Sequence, residues 1–101
     1  MNDSGEPLGR EPGEVRIVET TVGVLGERRV GAGNIWPSQY TLPDGSEATG
    51  MTAQLFVLGG GPSMIVGPGS ELDLDGERWV VTAVEKPDDR SHGWVILSYR
   101  P

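Results

Sequence analysis

The stretch that decides the fold is GSELDLDGERWVVTAVEKP, residues 69–87. Leu72 and Leu74 alternate with Glu71, Asp73 and Asp75. A period of two puts the apolar side chains on one face of a strand and the charged ones on the other. Asp75-Gly76 follows, a dipeptide that tolerates the positive φ angles of a two-residue hairpin turn. Residues 79–84, WVVTAV, then form the returning strand, rich in β-branched side chains.

The same grammar extends in both directions. In EVRIVETTVGVL, residues 14–25, Val15 and Ile17 alternate with Arg16 and Val18, and Gly23 and Gly26 mark a bulge or a tight turn. GERRVGAGN, 26–34, reads as a loop around a short strand at 28–30. Pro43-Asp44-Gly45 is a turn in which proline presets one dihedral and glycine takes the positive one, with 39–42 entering and 46–49 leaving. MTAQLFVL, 51–58, is a strand. Gly59-Gly60-Gly61-Pro62 ends it, 63–66 continues beyond, and Gly67-Pro68-Gly69 is another break. A charged loop at 86–93 leads to a last strand at 94–99. No segment of ten residues carries a 3.6 period. The class expected is all-β, with six to eight short antiparallel strands.

With 101 residues the chain fits one domain. Residues 1–13, polar and rich in glycine and proline, read as a flexible arm, and 14–101 as a single small β domain. Val80, Val84, Val95 and Leu97 need covering, and a lone sheet would leave an apolar face wet. A small closed or partly open barrel, or a two-sheet sandwich, is therefore expected. The 69–99 unit, with its glycine, hairpin, tryptophan strand, loop and final strand, resembles the end of many small SH3-like barrels. That resemblance implies architecture and no activity.

Charge removes several classes of function. Fifteen acidic and 8 basic residues give a formal charge of −7. A surface of that sign repels phosphate backbones and anionic membranes, so neither nucleic acid nor membrane is an expected partner. A protein with a basic surface is permitted. There are no cysteines, which removes disulfides, thiolate metal sites and cysteine nucleophiles. The N-terminus carries no apolar leader segment and no run is long enough to span a bilayer, so a cytoplasmic protein is expected.

The candidate sites are few. Glu71, Asp73 and Asp75 offer hard oxygens on one strand face. Calcium, however, needs six to eight oxygens from a loop folded around it, and Gly76 falls at the wrong position for an EF-hand. The acids read as the soluble outer face of a hairpin, with a partner-binding surface as the alternative. His92 lies near Asp88, Asp89 and Ser91, but neighbours on one loop cannot hold triad geometry, and zinc would need further nitrogen or sulfur ligands. Gly59-Gly60-Gly61-Pro62-Ser63 lacks the lysine and helix of a phosphate loop. Trp79 and Trp94 sit inside strand runs and read as core. Ile35, Trp36 and Tyr40 remain as the interaction candidate. In a chain with six aromatics the economical role for Trp36 is a cap on one end of the core, and the alternative is a contact residue.

No nucleophile–base pair, metal cluster or cofactor fingerprint is present, so no enzyme and no cofactor are expected. The function expected is a non-catalytic protein-binding or assembly module, such as a structural or adaptor subunit of a phage-like or secretion-type particle. The alternatives are an acidic inhibitor or immunity protein covering a basic site on an enzyme, and a small-ligand-binding β-barrel.

Overall fold

The computed structural model describes residues 13–88 and 91–100. The arm expected at 1–13 therefore lies outside the described residues except for Gly13. Eight strands follow one another: β1 Glu14–Val18, β2 Val22–Leu25, β3 Arg28–Thr41, β4 Glu47–Val57, β5 Ser63–Val66, β6 Glu71–Leu74, β7 Glu77–Glu85 and β8 Trp94–Arg100. They build two four-stranded antiparallel sheets, ordered β1-β8-β7-β6 and β2-β3-β4-β5. The all-β class is as expected from the alternation. No helix occurs among the described residues, hence none long and apolar enough to cross a membrane.

The turns follow from local chemistry. Asp75 and Gly76 both have positive φ, 55° and 84°, as a type I′ hairpin requires, and close Leu74 onto Glu77. At 42–46 Asp44 Oδ1 accepts from Ser46 N at 2.9 Å and Ser46 Oγ at 2.6 Å, while Gly45 takes φ 90°. Two corners carry the chain between sheets. At the first, Thr21 N and Oγ1 both donate to Val18 O. At the second, Ser70 N donates to Gly67 O and Gly67 N to Ser70 Oγ. The Tyr40 ring lies so close over Gly67 that a Cβ there would overlap it.

Three readings are corrected. The loop at 26–34 is instead the start of β3. Gly31 and Gly33 are strand positions with close neighbours, Thr21 O and the Phe56 ring, rather than turn positions. The strand placed at 51–58 begins earlier, at Glu47, so β3 and β4 form one long hairpin. Trp94 and Val80 are half-buried rather than core. Val80 points outward because inward alternation runs through Trp79 and Val81. It then shifts to Val84 across a bulge between Val81 and Ala83. Trp94 lies on the same outer face, with the Arg16 guanidinium 4.3 Å above its ring.

Sixteen apolar side chains are buried among the described residues, drawn from every strand. Ile17, Leu55, Val81, Val95 and Leu97 are at most 1 % exposed. Trp79 fills the end near the β6–β7 hairpin, its ring centroid 5.5 Å from that of Tyr99. Its indole N–H is buried without a hydrogen-bond partner among the described residues. Trp79→Ala is expected to cost about 3–5 kcal/mol in chemical denaturation. Trp79→Phe is expected to cost much less, because it keeps most of the ring volume and removes the unpartnered donor. Equal losses for the two variants would show that the indole N–H contributes a bond.

Candidate interaction surface

The outer face of the β2–β5 sheet is assigned by register. Directly paired residues share a face, and Val22 pairs with Gly31, Gly31 with Phe56, Gln54 with Ile65, and Trp36 with Thr52. Alternation adds Val24 and Leu58. Every one of the apolar members of that set is exposed: Trp36 65 %, Ile65 57 %, with Val22, Val24, Phe56 and Leu58 beside them. Among the described residues they account for all the exposed large hydrophobic side chains except Tyr99. The outer face of the other sheet is different. Asp73 pairs with Arg78 and Arg78 with Arg100, with Glu71 and Glu85 also exposed on those strands.

Trp36 reaches this face through a bulge. The β3–β4 register shifts between Gly33 and Trp36, and Asn34 takes the left-handed φ of 48° that asparagine tolerates. Ile35 turns into the core, 3 % exposed, and Trp36 turns out. The expected core-cap role of Trp36 is thereby corrected: the bulge inverts the alternation, and the apolar partner of the core is its neighbour.

Glu19, at the end of β1, holds the bulge. Its Oε2 accepts from Ile35 N at 3.2 Å, and Oε1 accepts from Lys86 Nζ at 2.8 Å and Gly93 N at 3.0 Å. Both side chains are largely buried, 12 % and 19 % exposed for Glu19 and Lys86. The Lys86 hydrogen bond, then that from Gly93, holds the Glu19 carboxyl down at about 2, against the opposing effect of burial. Asn34 Nδ2 donates to Gln54 Oε1 at 2.7 Å. These groups line an open cavity of about 510 Å³ with Ile35, Trp36, Thr52 and Ile65. None of the lining groups titrates near neutral pH, so the cavity offers hydrogen-bonding and apolar contact rather than acid–base chemistry.

The other candidates fall elsewhere. Tyr40 is half-buried, its hydroxyl donating to Pro68 O at 2.8 Å, which ties the long hairpin to the second corner. Glu71 and Asp73 are exposed along β6. Asp75 stands in the turn, ion-paired to Arg28 with Nε–Oδ2 at 2.8 Å and Nη2–Oδ1 at 3.2 Å. The Arg28 hydrogen bond lowers the Asp75 carboxyl below its usual range. Among the described residues no group of three or more acids and histidines converges in a geometry that could hold a metal. His92 is exposed; Ser91 N donates to Asp88 Oδ1, and Asp89 lies outside the described residues.

Glu19, Asn34, Gln54 and Ile65 were not legible as a group, because they converge from four separate strands and corners. One signal was present: MTAQLFVL is apolar at both parities, which marks a strand with a second apolar face. No family model matches the chain, and no curated protein or solved structure matches it.

Because the Glu19 carboxyl is lowered from an ordinary 4.5 to about 2, its stabilisation is fully present above pH 4.5. It is lost as pH falls toward 2. Glu19→Gln is expected to lower stability by about 2–3 kcal/mol at neutral pH, since it leaves Lys86 half-buried without a counter-charge. It is also expected to flatten the acid limb of a stability-against-pH curve. An unchanged acid limb would show that other carboxyls set it.

Proposed function

We propose that this chain is a non-catalytic protein-binding or assembly module whose contact surface is the outer face of the β2–β5 sheet, with Trp36 at its bulged end. The observation that carries this reading is the asymmetry between two outer faces of one molecule, one predominantly apolar with Arg29 at its β2 side and one charged. Contiguous exposed apolar patches on small proteins mark interaction sites, and a large, rigid, exposed tryptophan ring is a residue type enriched among interface anchors. The face spans four strands at about 4.8 Å spacing and several residues at about 3.3 Å. That is on the order of 300 Å², the size of an interface core rather than of a whole interface. A second reading, a small-ligand site in the cavity beside Trp36, is favoured by the Asn34–Gln54 amide pair, which leaves an acceptor and donors facing a neutral guest.

Photo-crosslinking residues placed singly at Phe56 and at Thr82, on the exposed sides of the two sheets, test the main reading in the native host. Crosslinks from position 56 and none from 82 are expected, and the purified partner should bind wild type but not Trp36→Ala. That variant is expected to lose less than about 1 kcal/mol of stability, since most of the ring is already wet. Crosslinks confined to position 82, or a loss of several kcal/mol, would overturn it.

A further inference from the structure

The outer edge of β5 is a second feature, independent of the sheet face. Among the described residues β5 ends its sheet and pairs only with β4. Val57 N donates to Pro62 O at 3.0 Å. Bonded and non-bonded pairs alternate along an antiparallel ladder, so Met64 and Val66 direct their main-chain groups to β4. Ser63 and Ile65 direct theirs outward. The next outward position, Gly67, is already spent on Ser70, through both its N–H and its C=O. The free edge is therefore two residues long, with Met64 between them.

Exposed edges are ordinarily blunted by charge or covered. β1 carries Glu14 and Arg16, β6 carries Glu71 and Asp73, and β2 turns directly out of β1 with Gly23 against Ile17. β5 carries no charge. The gap is wider than the strand: residues 48–70 contain no Asp, Glu, Lys, Arg or His, in a chain that is 23 % charged with a net −7. A basic partner would gain nothing at this edge. A like-charged partner meets no repulsion there, which makes it the place where two copies of this chain can approach.

We propose that β5 is a homodimer interface in which two copies pair edge to edge, antiparallel, about a twofold axis through Met64. Ser63 of one copy then faces Ile65 of the other, and the two outward pairs form four main-chain hydrogen bonds. Self-pairing uses all of the free edge, whereas a longer foreign strand would run into the Gly67 corner and into Pro62, which has no N–H. The result is a continuous eight-stranded sheet. Ile65 of each copy sits on the outer face beside the seam, and the two apolar faces join into one surface.

Sedimentation of the full chain over a range of concentrations, with amide exchange on the same samples, tests this. A mass that doubles with concentration is expected, together with slowing of exchange at Ser63 and Ile65 as the dimer forms. Met64 and Val66 should be protected at every concentration. Ser63→Pro removes two of the four bonds without touching the β4 ladder. It should raise the dimer dissociation constant roughly thirtyfold, the effect of two lost main-chain bonds. Ser63→Ala should leave it unchanged. If Ser63→Pro lowers the melting midpoint, Ile65→Lys, which places charge on both sides of the seam, takes its place. A monomer at every concentration, or a dimer whose formation leaves exchange at Ser63 and Ile65 unaltered, overturns the proposal. Trp36→Ala should still dimerise, so failure of the edge and failure of the sheet face are read separately.

Discussion

The Glu19 carboxylate is the interaction on which the presentation of the surface depends. It accepts from the backbone just after the β3 bulge, from the backbone just before β8, and from a lysine just after β7. Ile35 is far in sequence from Lys86 and Gly93, which flank one loop, and the carboxylate brings all three to the first corner between the sheets. A bulge in a long strand is a point where the chain could slip by one residue, and a slip would exchange Ile35 and Trp36 between core and solvent. A buried, fully engaged carboxylate selects one register. Holding Ile35 N fixes which of the two neighbours enters the core, and so fixes the exposure of Trp36.

The second corner plays the matching part at the other flank. Ser70 and Gly67 exchange hydrogen bonds, the Tyr40 ring covers Gly67, and its hydroxyl reaches Pro68 O. The long β3–β4 hairpin is thus anchored at its far half as well as at its bulge. β5 enters this corner and β6 leaves it. The rigidity of the corner determines where the free edge of β5 stops.

Much of the fold was legible because the governing signals are local. Asp75-Gly76 and Pro43-Asp44-Gly45 carry their turn geometry in their own dihedral preferences. Leu72 and Leu74 announce their face by simple alternation, and both are buried. The failures have separate causes. Gly31 and Gly33 look like loop residues because glycine is usually read as a local conformational signal, whereas both are paired positions of β3, opposite Phe56 and Gln54. Trp36 departs from simple alternation because the bulge in β3 changes the parity of the residues beyond it, whereas Val80 and Trp94 follow the alternation of their strands and stand on the outer face beside buried Trp79 and Val95. An inserted residue leaves no mark on composition or periodicity. The candidate site was legible only at Trp36 and Ile35, and Tyr40, grouped with them by sequence, stands at the second corner instead. Glu19 and Gln54 are ordinary polar residues until the corner and the bulge bring them together.

The apolar outer face follows from the strand sequences themselves. A two-layer sheet structure has two inner faces, and a strand that serves only those alternates apolar with polar, as β6 does. β4 instead carries Gln54, Phe56 and Leu58 outward while Ala53, Leu55 and Val57 point inward. The inner set already fills a core to which every strand contributes, so folding does not require the outer set. Exposed apolar side chains on a small domain invite indiscriminate association. The acidic residues at 71–77 and 85 lie on the other sheet and its turn, away from the apolar face. Acidic charge and exposed apolar surface are thus segregated to opposite sides of one thin sandwich, with Arg29, paired to Val24, the charge that shares the apolar face.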